Sequence, residues 1–85
     1  MIIIYGTSGC GFCRMAVDKC KKYNLGYEYR DIGYSKWYKE FKKLGVNLNA
    51  LPQVLIPGMS PGNYNSLNHY IECLLSTMQQ YEEGN

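Results

Sequence analysis

Two cysteines three residues apart, in Cys10-Gly11-Phe12-Cys13, are the residues of this chain best suited to chemistry. Thiols at this spacing can act in two ways. A thiolate on one can attack a disulfide while the other resolves the mixed disulfide that forms, giving a reversible two-electron couple. Alternatively, the pair can supply half of a tetrahedral zinc site. The other half would be His69 and Cys73, four residues apart and on one face of a helix. The 55 residues between Cys13 and His69 far exceed the usual finger spacing, which weighs against metal. Cys20 and Cys73 have no cysteine close to them in sequence.

A redox pair needs its first thiol at the positive end of a helix, and the flanking sequence predicts that placement. Ile2-Ile3-Ile4-Tyr5 is a β-branched run ended by Gly6 and predicts a short strand buried on both faces. Residues 6–11 are loop. From Phe12 to Tyr23 the pattern is helical, with Cys13, Ala16, Val17, Cys20 and Tyr23 on one stripe and Arg14, Asp18, Lys21 and Lys22 toward water. Cys10 therefore sits beside free backbone N–H groups where the helix begins, a setting that lowers a thiol's pKa. Cys13 is one turn further in and more buried.

The remaining elements follow from the same periodicities. Gly26 is the expected C-terminal cap of the first helix. Tyr27 to Ile32 alternates and predicts a second strand. Ser35 is the expected N-cap of a helix reaching about Leu44, with Trp37 and Phe41 inward and Gly45 ending it. After Pro52, Gln53-Val54-Leu55-Ile56 predicts a third strand. Pro57-Gly58 and Pro61-Gly62 predict turns with at most a very short strand between them. A last helix is expected from Asn63 to about Gln80, with Leu67, Tyr70, Ile71, Leu74, Leu75 and Met78 buried, then a polar tail from Tyr81 to Asn85. Cys20 is expected to be an inert core thiol, Cys73 partly buried and His69 on the surface, while Tyr23, Tyr27, Tyr29 and Trp37 are read as packing residues. The order β-α-β-α-β-(β)-α implies an α/β layer with helices on both faces of the sheet.

Composition narrows the functional classes. The chain has 85 residues, with nine Lys and Arg against seven Asp and Glu, for a net charge of +2. That balance lacks the dense basic face needed to track a phosphate backbone, so no nucleic-acid partner is expected. A hydrophobic fraction of 46% is that of a globular chain rather than a disordered one. A chain of this size buries only about 60–65% of its unfolded surface, so the site must be shallow. The N-terminal apolar run is too short for a signal peptide and no segment approaches a membrane span, so a cytoplasmic, reducing location and one domain over residues 1–85 are expected. In that setting a Cys-x-x-Cys is catalytic or metal-binding rather than structural.

Several segments together resemble a glutaredoxin, a small dithiol member of the bacterial and phage type. Tyr5-Gly6-Thr7-Ser8-Gly9-Cys10-Gly11-Phe12-Cys13 is similar to that family's active-site segment. Tyr27 to Ile32 resembles its second strand, Leu51-Pro52-Gln53-Val54 its cis-proline motif, and Gly62-Asn63-Tyr64-Asn65-Ser66-Leu67 the start of its last helix. The resemblance covers nearly the whole chain. It implies a thioredoxin-like fold: three α/β/α layers around a central four-stranded mixed sheet, in the order β-α-β-α-β-β-α.

The resemblance also implies roles. Cys10 would attack glutathione mixed disulfides and protein disulfides, and Cys13 would resolve the latter. Glutathione, as reductant and co-substrate, would lie against Thr7, Gly11 and Phe12. Leu51, before a cis Pro52, would pair its backbone with the peptide, a plain trans proline being the other reading. Gly62, Asn63, Tyr64, Asn65 and Ser66 would receive the γ-glutamyl carboxylate at a helix start, the other reading being an ordinary Pro-Gly turn with an asparagine cap. The pattern departs from the family at Thr7, Ala50 and Asn63; of Lys36, Lys39, Lys42 and Lys43, Lys36 or Lys39 is the best placed to add compensating positive charge near the site, the favoured reading for most of the four being a solvated helix face. No metal is expected, and a monomer with no membrane partner is. The tyrosine- and asparagine-rich composition is similar to phage members, for which ribonucleotide reductase is the implied client. Two other readings stay open: a redoxin reduced by thioredoxin reductase, and a non-enzymatic iron–sulfur or zinc carrier.

Overall fold

The computed structural model describes the backbone over residues 1–83 and the side chains over residues 1–77. In chain order the elements are β1 (Ile2–Gly6), α1 (Gly11–Lys22), β2 (Tyr27–Asp31), α2 (Ser35–Lys42), β3 (Gln53–Leu55) and α3 (Tyr64–Glu83). The sheet order is β2-β1-β3. β1 runs parallel to β2, from Ile2 opposite Tyr27 to Gly6 opposite Asp31, and antiparallel to β3, with Ile4 opposite Val54.

Side-chain alternation along β1 sorts the helices onto two faces. Ile2 and Ile4 join Ala16, Cys20, Val54, Ile56, Leu67 and Ile71 in one buried cluster beneath α1 and α3. Tyr5 points the other way and meets Phe41 of α2, ring centroids 5.7 Å apart. Arg30, opposite Tyr5 in the register, shares that face: it donates to the Tyr5 hydroxyl at 2.8 Å, lies 4.5 Å over the Trp37 ring and pairs with Glu28. The sheet is thus layered between α1 and α3 on one side and α2 on the other. Burying each large side chain contributes about 1.5–3 kcal/mol.

The sheet has three strands among the described residues, not the four expected. What would be the fourth strand is one bridge, in which Val54 and Gly62 exchange both backbone hydrogen bonds at 2.8 and 3.0 Å. Two neighbours prevent extension. Pro61 has no N–H to give to a ladder, and Asn63 has already turned to cap α3. Other boundaries also move. Asn24, at φ 55, ends α1 in place of Gly26, because Leu25 N–H returns to Cys20 O at 2.8 Å and Asn24 N–H to Lys21 O at 3.3 Å. This paired closure requires a left-handed residue directly after the cap, and asparagine tolerates that conformation. Tyr34, not Ser35, stands at the N-cap of α2 with no side-chain capping bond, and the helix stops at Lys42, short of Leu44. Leu75 is exposed on α3, and so is Cys73. Helix α3 continues past Gln80 to Glu83; the side chains of Met78 and the tail fall outside the described residues.

Candidate active site

Cys10 is the N-cap of α1, with extended backbone at φ −97 and ψ 114. The loop before it closes with a hydrogen bond from Cys10 N–H to Thr7 O at 3.1 Å. At the cap, the thiol takes the place that serine or aspartate usually fills. Cys13 N–H donates to Cys10 Sγ at 3.3 Å. The thiol in turn faces Leu51 O at 3.9 Å. A thiolate formed there meets a backbone N–H and the positive end of the α1 dipole.

Cys13 is in a different environment. It is 1% exposed, one turn into α1 beneath Gly6. Burial pushes its thiol up from the ordinary 9.0 to about 12, and the neighbouring Cys10 adds to the effect while the Thr7 backbone opposes it. Cys13 therefore stays protonated at neutral pH while Cys10, half-buried, faces solvent. The asymmetry suits an outer nucleophile and an inner resolving thiol. Cys20 is fully buried and raised by that burial, which suits an inert core thiol.

The Leu51–Pro52 bond is cis, as the motif implies. It presents Leu51 O to Cys10, and Leu51 also lines a groove of about 180 Å³ together with Phe12, Pro52, Asn63, Tyr64 and Asn65. Phe12 leans on Tyr64 across it, ring centroids 5.7 Å apart. Within it α3 begins with a reciprocal cap. Ser66 N–H donates to Asn63 Oδ1 at 3.0 Å, and Asn63 N–H donates to Ser66 Oγ at 3.3 Å. The asparagine-cap reading is thus observed, and the cap leaves the first N–H groups of the helix, on Tyr64 and Asn65, free for an anion. Gly62 must lack a side chain: a Cβ there would stand 2.5 Å from Ser66 Oγ.

Six of the expected residues thus line one groove beside Cys10. The others have different places. Thr7 lines a second cavity, of about 400 Å³, on the other flank of Cys10. Gly11 is exposed at the first turn of α1, while Gly62 and Ser66 support the start of α3 from outside the groove. Lys36 lies over the Trp37 ring at 4.5 Å, and neither it nor Lys39 lines either cavity. His69 and Cys73 approach each other at 3.8 Å on exposed α3, but among the described residues they form no metal-binding group with Cys10 and Cys13. The second cavity also brings in Arg14, Lys21 and Tyr29, which sequence reading assigned to solvent or to packing. Only the strand alternation that points Tyr29 toward the α1 face hinted at its place.

A strand, a cysteine-capped helix and a cis-proline loop converge on one thiol. A family model for glutaredoxin matches residues 2–60. The chain belongs to the glutaredoxin family. Glutaredoxins are oxidoreductases, and the small α/β architecture described above is consistent with a thioredoxin-like fold. The match spans the cysteine pair and the cis-proline and ends before the start of α3. No curated protein and no solved structure matches the chain. Among the described residues of this glutaredoxin no helix is long and apolar enough to cross a membrane.

Proposed function

We propose that the protein is a glutathione-dependent thiol–disulfide oxidoreductase that works through Cys10 and Cys13. The observation that carries this reading is the position of Cys10 Sγ, held between the Cys13 N–H at 3.3 Å and the O of Leu51 at 3.9 Å, where Leu51 also lines a groove that takes in the first residues of α3. Cys10 attacks the glutathionyl sulfur of a mixed disulfide, and the client leaves as a thiol. The peptide part of glutathione lies along Leu51, beside the Phe12 and Tyr64 rings. Its γ-glutamyl carboxylate meets the free N–H groups of Tyr64 and Asn65. A second glutathione then regenerates the Cys10 thiol. With a protein disulfide, Cys13 displaces the client, and ribonucleotide reductase is the client that the family resemblance suggests.

The groove residues favour a second reading, because none of them carries a charge. A protein reductant, such as thioredoxin reductase, would need no cation for the glycine carboxylate. One assay separates the two: reduction of a small glutathione mixed disulfide by glutathione, with wild type, Cys10→Ser and Cys13→Ser. Activity in wild type and Cys13→Ser but not in Cys10→Ser supports the glutathione reading. No activity in wild type with verified free thiols, together with turnover by thioredoxin reductase, supports the other.

A further inference from the structure

We propose that Tyr29 donates a hydrogen bond to the Cys13 thiolate as that thiolate forms, and so controls the resolving half of the reaction. This role rests on the reading of Cys10 and Cys13 as a dithiol couple.

The geometry comes from the sheet. Tyr29 stands opposite Ile4 in the β1–β2 register, so its side chain rises on the α1 face, where Cys13 is. One point in space relates the two groups. A Cβ on Gly6 would lie 2.8 Å from Cys13 Sγ and 2.9 Å from the Tyr29 hydroxyl oxygen. The sulfur and the hydroxyl therefore flank the same small space, kept open by a glycine. Tyr29 also lines the second cavity together with Cys10 and Thr7. The Tyr5 hydroxyl on the other face is held by Arg30 at 2.8 Å, whereas among the described residues nothing holds that of Tyr29.

The chemistry calls for a donor at this place. Once Cys10 carries the client in a mixed disulfide, Cys13 must give up its proton and attack Cys10 Sγ. The Cys10–Cys13 bond forms, the bond from Cys10 to the client sulfur breaks, and the client thiolate leaves and takes up a proton. Cys13 is oxidised and the client sulfur reduced. The barrier is a negative charge on a buried sulfur. A neutral O–H beside that sulfur offsets the cost without being consumed. Tyr29 is 37% exposed, but the partial burial of its phenol raises it, and negative charge on Cys13, Asp31 and Cys10 raises it further, so the phenol stays protonated and serves as a donor rather than a base. The other groups facing the pair are Arg14, Asp18 and Lys21 of α1 and Tyr27 of β2, which line the cavity, and the Thr7 backbone, which favours the Cys13 thiolate.

The test is a two-phase reaction of reduced protein with dithiobis-nitrobenzoate, in a Cys73→Ser background that removes the exposed thiol. Attack by Cys10 releases the first coloured thiolate, and attack by Cys13 releases the second. With Tyr29→Phe the second phase slows about tenfold relative to the first, the factor expected for one hydrogen bond to a charged group, and its rise with pH moves to more alkaline values. An unchanged ratio of the two phases with an unchanged pH profile overturns the proposal. So does an equal slowing of both, which would mark a merely structural tyrosine. A parent protein with no Cys10 phase overturns the dithiol reading and the Tyr29 role with it, and is distinct from loss of the second phase alone.

Discussion

Substituting Gly6 by alanine tests the packing around the inner thiol. The new Cβ would stand 2.8 Å from Cys13 Sγ, 2.9 Å from Cys13 Cβ and 2.9 Å from the Tyr29 hydroxyl. Favourable heavy-atom contacts lie near 3.5–4.0 Å, so each approach is too close by about 0.6 Å or more. Tyr29 is 37% exposed and can swing outward, but Cys13 is 1% exposed and fixed on α1. Gly6 cannot retreat either, since it lies opposite Asp31 in the parallel pairing and its carbonyl accepts from Ile32 N–H at 2.9 Å. The strain therefore falls on the β1–α1 packing, and overpacking of this kind costs about 1–3 kcal/mol. For a domain of this size that lowers the melting temperature by about 5–20 °C. The assay is thermal unfolding of reduced protein followed by circular dichroism, with Gly9→Ala as control. A Cβ at Gly9 meets nothing within 4 Å, so that variant should stay within about 0.5 kcal/mol of wild type. A Gly6→Ala protein that melts with Gly9→Ala would refute this placement of Cys13.

The raised Cys13 thiol makes stability depend on pH. Its folded-state value, about 12, lies above the ordinary 9.0, so the folded state holds the proton more tightly. The contribution is complete below pH 9.0 and is lost as pH rises toward about 12. Across that window wild type should lose on the order of 1.4 kcal/mol per pH unit more than Cys13→Ala, measured by urea unfolding. Parallel curves for the two proteins would contradict it. In the groove, Asn63→Ala removes the acceptor that holds Ser66 N–H at 3.0 Å. The expected cost is about 1 kcal/mol, or a melting temperature lower by about 4–8 °C, with a higher KM for glutathione because the helix start is no longer fixed.

What could be read from the sequence was mostly local. The Ile2–Tyr5 run, the helical stripe through Cys13 and Cys20, and the Cys-x-x-Cys at their junction specify β1, α1 and the place of Cys10 without help from distant residues. The misses arose where two local signals competed. Gly26 is the usual cap residue, but Asn24 sits at the position that closes α1 and can adopt the required conformation. Pro61-Gly62 reads as a turn with at most a very short strand before it, and the fourth strand that the resemblance implies is reduced to one bridge at Gly62 by the proline and the Asn63 cap. The site divides in the same way. Cys10, Phe12 and the cis Leu51–Pro52 step carry motif signals. Tyr29 does not, because its approach to Cys13 depends on the β1–β2 register and on how α1 lies across the sheet, both of which are non-local. Cys73, at the edge of the α3 apolar stripe in sequence, is exposed.

The central claim is that Cys10 is the thiol that exchanges with glutathione. Reacting reduced Cys13→Ser with oxidised glutathione and mapping the adduct by peptide mass spectrometry tests it most directly. The account predicts rapid formation of a single mixed disulfide on Cys10, outpacing any adduct at exposed Cys73. An adduct that forms on Cys73 while Cys10 remains a free thiol would contradict it.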